Sequence, residues 1–557
     1  MKTFFTKPSR LLWIPIGAVV LLFTGAAVSD NDVYFKIKKN FTIFSEVFTE
    51  ISLRYVDDVD PENLMMHGLE AMLETLDPYT VLIDDNQNQQ MDIMTTGKYA
   101  GVGLDIGIRQ GEFVVISPME GYSAYRRGVR AGDVITHINE IEVKELTSRD
   151  LEGLMYGEPG SEITITVQRY GVDESLHFTL TRERIDVNAV RYFGFLDEDQ
   201  KLGYISLSQF SQNASEEVRS ALVEFKKAGT VEGVILDLRN NPGGLLDEAV
   251  GLVDKFIGSD QEVVSIKGRI ERNNQAFFTS EPPVFDALPV VVLQNEGSAS
   301  ASEIVAGALQ DLDRAVILGQ SSFGKGLVQT VKPISYNNAL KITTSKYYIP
   351  SGRSIQKLEY NHATRNSSSI ISDSLRTEFK TRNGRSVFDG IGIEPDIYLT
   401  PDDNNPLLIA LLQQGHYFRF ANQIVAETDT VTWETIEMDV YPRFLTYLNE
   451  VDFSYSTKTE QRLEQLIREF EKIETSVSVE EEVQILRNKI DEYKTAQLTR
   501  EEMTLKRELY KELLHRFVEN EYRYPLLLQK DEMIDSARSI LFDTDRYNSI
   551  LSPESRR

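Results

Sequence analysis

The sequence predicts an α/β core preceded by a small β-rich module and flanked by helical regions at both ends. Three observations predict it. Residues 186–402 contain two strand–turn–helix units; residues 97–185 hold short β-branched and apolar runs between glycine turns; and apolar residues recur at helical spacing in 31–96 and after 403. A chain of 557 residues is too long for one hydrophobic core, so several structural units are expected.

The first thirty residues form an element of their own. Lys2, Lys7 and Arg10 precede an apolar run from Leu11 to Val28, interrupted only by Pro15, Gly17, Thr24 and Gly25. Such a run lies near the lower limit for spanning a bilayer, and the flanking positive charge holds the N-terminus in the cytoplasm. Gly25-Ala26-Ala27 also fits a signal peptidase site. Residues 1–30 are therefore expected to be a membrane anchor or a cleaved signal, and either one exports the rest to the periplasmic side of the envelope. A buried core helix is the bland alternative.

Residues 31–96 read as helices, with Phe41, Phe44, Val47 and Phe48, then Leu64, Leu69, Met72 and Leu73, at helical spacing until Leu76-Asp77-Pro78 breaks the pattern. In 97–185 the strands are Phe113–Ile116, Val134–Ile138 and Ile163–Val167, with one helix over 147–156. In 186–402, Gly233–Leu238 is a buried strand, Asn240-Asn241-Pro242-Gly243-Gly244 a sharp turn and Leu245–Phe256 a helix. Pro289–Leu293, Asn295–Gly297 and Ser300–Leu312 repeat that order. After 403, Val483, Leu486, Ile490 and Tyr493, and Leu505, Leu509, Leu513 and Phe517, form stripes expected to pack against the same chain.

Composition excludes several chemistries. The net charge of −27 opposes nucleic-acid binding. No cysteine is present, so there is no thiol nucleophile, disulfide or thiolate metal site. Six histidines are scattered without a close pair, so no metal or other cofactor is expected.

The chemistry concentrates in two places. Gly297-Ser298-Ala299-Ser300-Ala301-Ser302-Glu303 puts Ser300 at a helix N-terminus, where the positive partial field favours a developing alkoxide. Ser300-x-x-Glu303 equally fits a capping box. Gly319-x-x-x-x-Gly324-Lys325-Gly326 imitates a phosphate loop, but Gly326 stands where a hydroxyl must hold magnesium and a strand follows instead of a helix. On that strand Lys325, Leu327 and Gln329 are expected on one side. A buried neutral lysine amine can serve serine as its base, and Gln329 can hold that amine without adding charge. The Ala301 amide and a donor near Gly244 are the candidate oxyanion groups.

Ser300-Ala-Ser-Glu303, Gly324-Lys325-Gly326-x-x-Gln329 and Leu236-Asp-Leu-Arg-Asn-Asn-Pro-Gly-Gly244 together resemble the C-terminal processing peptidases, or tail-specific proteases, as do Leu76-Asp-Pro78 and Gly392-Ile-Glu-Pro-Asp396. The serine-to-lysine separation of 25 residues and the glutamine four further on match that family's Ser-Lys-Gln pattern. The resemblance covers roughly residues 35–400 and implies a crotonase/ClpP-like protease core. Gly101-Val102-Gly103-Leu104 resembles the carboxylate-binding loop of PDZ domains, and Arg127-Gly-Val-Arg-Ala-Gly-Asp133-Val-Ile135 also fits that pattern. Amides of Val102, Gly103 and Leu104 are then expected to cradle a terminal carboxylate. Arg169 resembles an arginine that relays peptide binding to the protease site. The implied boundaries are 1–30 anchor or signal, 31–96 helical, 97–185 PDZ, 186–402 protease core and 403–557 helical.

The expected activity is endopeptidase cleavage through a Ser300 acyl-enzyme, with protein or peptide substrates presenting free, apolar C-termini. A homo-oligomer is left open. The competing readings are an exported PDZ scaffold with an inert core and a crotonase-like acyl-CoA enzyme.

Overall fold

The computed structural model describes residues 14–83, 93, 95–360, 368–370, 376–399, 405–427, 433, 439–471, 480–518, 520–529 and 531–553. The chain divides into two compact units, one built mainly from residues 1–82. In it α1 runs Ile14–Arg54 and α2 Pro61–Leu73. Asp60 caps α2 by accepting from Glu62 N at 2.9 Å, with Pro61 fitting the first helical position. Asp77 accepts from Tyr79 N and Thr80 N, both at 2.8 Å, closing the turn around Pro78. Of the segment expected to anchor or signal, residues 1–13 lie outside the described residues. Among the described residues no helix is long and apolar enough to cross a membrane.

The larger unit begins with the β-rich module. Strand β1 (Lys98–Gly101) enters a glycine loop that opens β2 (Leu104–Arg109), followed by β3 (Glu112–Pro118), β4 (Val134–Ile138), α3 (Ser148–Met155), β5 (Glu162–Gln168), β6 (Leu176–Thr181) and β7 (Glu183–Asp186). The main sheet runs β2-β3-β4-β5-β6, which leaves β2 at its edge, while β1 pairs with β7. Thr147 and Asp150 cap α3 reciprocally, so that helix starts where its sequence says it should. Val115, Ile135, Ile163, Ile165 and Val167 fill the core, the period-2 inward set of these strands.

The α/β core follows: β8 (Val190–Phe195), β9 (Leu202–Leu207), α4 (Ala214–Ala228), β10 (Gly233–Asp237), α5 (Leu246–Asp254), β11 (Glu262–Gly268), β12 (Gln275–Phe278), β13 (Val290–Gln294), α6 (Ala301–Asp311), β14 (Val316–Gly319), β15 (Leu327–Pro333), β16 (Ala339–Tyr348) and β17 (Ile397–Tyr398). Six strands form a sheet in the order β8-β9-β10-β13-β14-β17, parallel throughout except for β8 against β9. A second, antiparallel sheet orders β15-β16-β11-β12.

The continuous apolar runs of β10, β13 and β14 are explained by burial on both faces. Val234, Leu236, Val290, Val292 and Ile317 join a core with α4, α5 and α6. Their alternating neighbours Ile235, Val291, Leu293, Val316 and Leu318 join a different core. The partner for that second face comes from the far end of the chain. Met533, Ile534, Ala537, Ile540 and Leu541 of the helix Glu532–Phe542 cover it, and Tyr547 donates to Val290 O and accepts from Val290 N.

The remaining helices after 403 hold their own core around Leu411, Phe420, Phe444, Leu505, Leu509 and Leu513, with Phe517 packed against it. The second predicted stripe therefore packs as expected. The first is only half covered: on the helix Glu480–Arg500, Val483 and Ile490 are half-buried, while Leu486 and Tyr493 are 46% and 55% exposed. Spacing alone did not distinguish the two, because helical periodicity reports shape and not the presence of a neighbour.

Candidate active site

Ser300 caps α6, a helix whose eleven residues are all buried. Its backbone is strained, with φ 56° and ψ −112°, a conformation that costs a non-glycine residue about 1–3 kcal/mol and persists only where surroundings impose it. The surroundings are visible. Asn241 O accepts from Ala299 N at 3.0 Å and from Ser302 Oγ at 2.9 Å, stitching the Asn240–Gly244 turn to the start of α6. Gly243, at φ 102°, packs directly onto Ser300: a Cβ there would lie 2.8 Å from Ser300 Cβ and 2.9 Å from Ala301 N. Only glycine fits.

Glu303 joins the two predicted halves of the site. Its fully buried carboxylate accepts from Ser300 N at 2.8 Å and Lys325 N at 2.9 Å on one oxygen, and from Ser322 Oγ at 2.6 Å and Gly324 N at 2.7 Å on the other. Two backbone nitrogens sharing one oxygen at these distances lie within about 6 Å of each other, although 25 residues separate them in sequence. Burial pushes the Glu303 carboxyl above its ordinary range, opposed by these four donors. The serine motif is thus half a capping box whose acid also fixes the lysine segment.

Lys325 is half-buried and lies before β15, not on it, and a register irregularity falls between Val328 and Gln329. The expected strand alternation from Lys325 through Leu327 to Gln329 is therefore not the device that orients them. Glu303 fixes the lysine backbone, and Gln329 Nε2 donates to Leu327 O at 3.3 Å and to Thr343 Oγ1 at 3.2 Å. Tyr347 adds a further link. Its amide donates to Gly326 O at 2.9 Å, and burial pushes its phenol up, opposed by the neighbouring Ser300 side chain.

The predicted oxyanion donors sit on either side of this junction. The Gly243 amide is already taken by Asn241 Oδ1 at 2.9 Å. Among the described residues the Gly244 and Ala301 amides meet no acceptor. The turn itself is anchored from behind. Arg239 forks onto Asp237, with Nε–Oδ1 at 3.0 Å and Nη2–Oδ2 at 2.6 Å, and pairs with Asp531 of the C-terminal segment at 2.8 Å.

In the β-rich module, a cavity of about 470 Å³ opens between β2 and α3, lined by the Gly101–Leu104 loop, Ile106, Phe113, Leu151 and Met155. The Val102 and Gly103 amides find no acceptor among the described residues, and Leu104 lines the same cavity. Arg169 is held inside the module, bidentate to the buried Asp133 at 2.7 and 2.8 Å and donating to Gly128 O at 2.9 Å.

Sequence reasoning saw Glu303 only as a cap and missed Tyr347 and Asp531. The serine–x–x–acid spacing marked Glu303; no local signal marks the other two, which reach the site from distant strands and helices. Among the described residues no cluster of acidic or histidine side chains fit to hold a metal occurs.

The chain matches three family profiles: "Peptidase family S41" over residues 201–362, "PDZ domain" over 114–169, and "Probable PDZ-protease, C-terminal helical domain" over 407–541. It is 37% identical to a carboxy-terminal-processing protease of Bartonella bacilliformis over 321 residues, which is 57% of this chain and 73% of that one. It is 36% identical over 297 residues to a carboxyl-terminal-processing protease of Synechocystis, covering 52% of this chain and 68% of the relative. Among solved structures, a photosystem II D1 C-terminal processing protease aligns with 65% of this chain and 93% of its own at 26% identity, with a TM-score of 0.36 that adds no weight. The chain belongs to the carboxy-terminal-processing proteases of peptidase family S41.

Proposed function

We propose that the protein is a serine endopeptidase that captures free C-termini on its PDZ module and cleaves by a Ser300–Lys325 mechanism. The observation that carries this is Glu303, whose one carboxylate oxygen receives the amides of both Ser300 and Lys325. Ser300 Oγ attacks the scissile carbonyl carbon while the Lys325 amine takes its proton. The carbonyl π electrons move onto oxygen, which accepts from the Gly244 and Ala301 amides. The Lys325 ammonium then protonates the leaving amine as the C–N bond breaks, leaving an ester on Ser300. A water deprotonated by the same amine hydrolyses that ester. Gln329 orients the lysine amine. The core is assigned to the crotonase/ClpP-like type.

The Val102, Gly103 and Leu104 amides are assigned to the substrate carboxylate. Arg169 is assigned the relay from peptide to protease site, its release from Asp133 being the switch; Arg169→Ala is expected to uncouple activation by a tail peptide from binding of that peptide. Export rests on the basic-flanked apolar run at 11–28, and cell fractionation tests it. A fluorogenic peptide with a free apolar C-terminus is the direct test of activity. Turnover by the native chain that vanishes in Ser300→Ala supports the mechanism. Turnover retained in that variant contradicts it, and peptide binding without turnover favours the inert scaffold.

A further inference from the structure

Lys325 stands between two glycines, so its own segment imposes little on the direction its side chain takes. That direction depends on the peptide planes on either side of the lysine Cα, and each plane is held from outside. The plane before it is fixed by Glu303, which accepts from Lys325 N at 2.9 Å, and by Lys357 N, which donates to Gly324 O at 3.0 Å. The plane after it is fixed by Gln356, whose side-chain Oε1 accepts from Gly326 N at 2.7 Å. Gln356 is buried, and its Nε2 donates to Leu358 O at 2.7 Å. Turning the amide over would set donor against donor and acceptor against acceptor, so the orientation that receives Gly326 N is locked.

Close approach makes this grip possible. A Cβ on Gly324 would lie 2.3 Å from Lys357 Cβ, and one on Gly326 would lie 2.7 Å from Gln356 N, so both glycines seat the lysine segment on residues 356 and 357. Those residues are tied in turn to the helix that carries the serine. α6 has Ser300 as its N-cap and Asp311 as its last residue. Asp311 accepts from Arg353 Nη2 at 2.8 Å and from Ser351 N at 2.9 Å, and the Arg353–Asp311 pair is fully buried. Arg353 also donates to Gln310 Oε1 at 2.8 Å, and Ile355 joins the core that α6 helps to form. One helix therefore reaches the lysine by two routes: directly through Glu303 in its first turn, and from its far end through Asp311, Arg353 and Gln356.

We infer that Gln356 is a positioning residue for the reaction, holding the peptide after Lys325 so that the lysine side chain is aimed at Ser300. The inference rests on the proposed Ser300–Lys325 mechanism. Its test uses the full-length protein and the fluorogenic peptide with a free apolar C-terminus, with kcat, KM and the pH dependence of kcat measured for Gln356→Met, Gln356→Glu and Lys325→Ala. Gln356→Met keeps the length and loses the acceptor. Its kcat is expected to fall about 30-fold or more, because a displaced base is costly, while KM stays within about threefold. The rising limb of its profile is expected to move to higher pH, since an amine less well enclosed keeps its proton more readily. Gln356→Glu retains an acceptor for Gly326 N and, while protonated, a donor for Leu358 O, so its kcat is expected within about fivefold of the native value. Thermal unfolding checks the fold; should Gln356→Met not fold, Gln356→Asn, whose amide stops one methylene short of Gly326, carries the same expectations. A folded Gln356→Met enzyme with kcat within about threefold of native overturns the inference. A large loss with the limb unmoved, or with no recovery in Gln356→Glu, overturns it too, because either marks a side chain that only supports the fold. Lys325→Ala is expected to be inactive throughout, and turnover by it overturns the mechanism and this inference with it.

Discussion

Replacing Glu303 by glutamine keeps its volume and removes one acceptor end. The four donors divide as Ser322 Oγ and Gly324 N on one oxygen, Ser300 N and Lys325 N on the other. The cheaper orientation of the amide turns its oxygen to Ser300 and Lys325 and its NH₂ to Ser322, whose hydroxyl can rotate to accept. Gly324 N is then left facing a donor, a buried unsatisfied group costing about 1–3 kcal/mol, and each surviving bond loses its charge assistance, about 1 kcal/mol apiece. Burying a neutral amide in place of the carboxylate returns part of this, since burial alone pushes the Glu303 carboxyl up. A net of about 2–4 kcal/mol remains, expressed as misplacement of serine against lysine, and kcat should fall roughly 100-fold. KM should move less than about threefold, because the proposed tail capture uses the separate PDZ groove. Steady-state kinetics with the tailed fluorogenic peptide reads both, and thermal unfolding confirms that the variant is folded. A folded Glu303→Gln enzyme with kcat within threefold of the native value would refute this account of the junction.

Other expectations follow from the same geometry. Gly243→Ala forces a Cβ to 2.8 Å from Ser300 Cβ and should abolish turnover while peptide binding to the PDZ groove, followed by anisotropy, is retained; an active Gly243→Ala enzyme would show that the turn is not seated on the nucleophile. Truncation at residue 402 strips the helix Glu532–Phe542 from the second face of the protease sheet, so the product should be insoluble or unfolded by circular dichroism; a folded, active truncation would contradict that packing. His416 and His515 are held neutral by burial, their folded values lowered from 6.5 to about 4. The unfolded chain therefore binds more protons in that window, so the stability is full above pH 6.5 and lost as pH falls toward 4. At pH 5 each should cost about 2 kcal/mol, measurable as a lower urea midpoint than at pH 7.5 and diminished in His416→Gln.

Much of this was legible before any coordinates. Val134–Ile138 matches its strand residue for residue, and the predicted helix 147–156 matches α3 within a residue at each end, because each has strong local signals: β-branched alternation in one, a reciprocal cap in the other. The strand-to-helix turn that places Ser300 and Ala301 at a helix start was legible, because a run of small residues lets the backbone turn sharply there. The role of Glu303 was not, since a cap and a junction share one spacing and only the fold brings Gly324 and Lys325 to its far side. The orientation expected for Lys325 rested on the wrong device, as strand alternation applies only from Leu327 onward and is interrupted at Gln329. The C-terminal helix over the sheet was invisible for a simpler reason. An apolar helix face states that it must be covered, never by which of several strands.

The dyad itself can be tested without ambiguity because the chain contains no cysteine. Lys325→Cys places a single thiol at the proposed base, and alkylation with bromoethylamine converts it selectively to a thioether analogue of lysine with a less basic amine. Lys325→Cys should be inactive, alkylation should restore turnover, and the rising limb of the pH–rate profile should move to lower pH. Turnover by the unalkylated variant, or restored turnover with that limb unmoved, would contradict the assignment of the lysine amine as the base for Ser300.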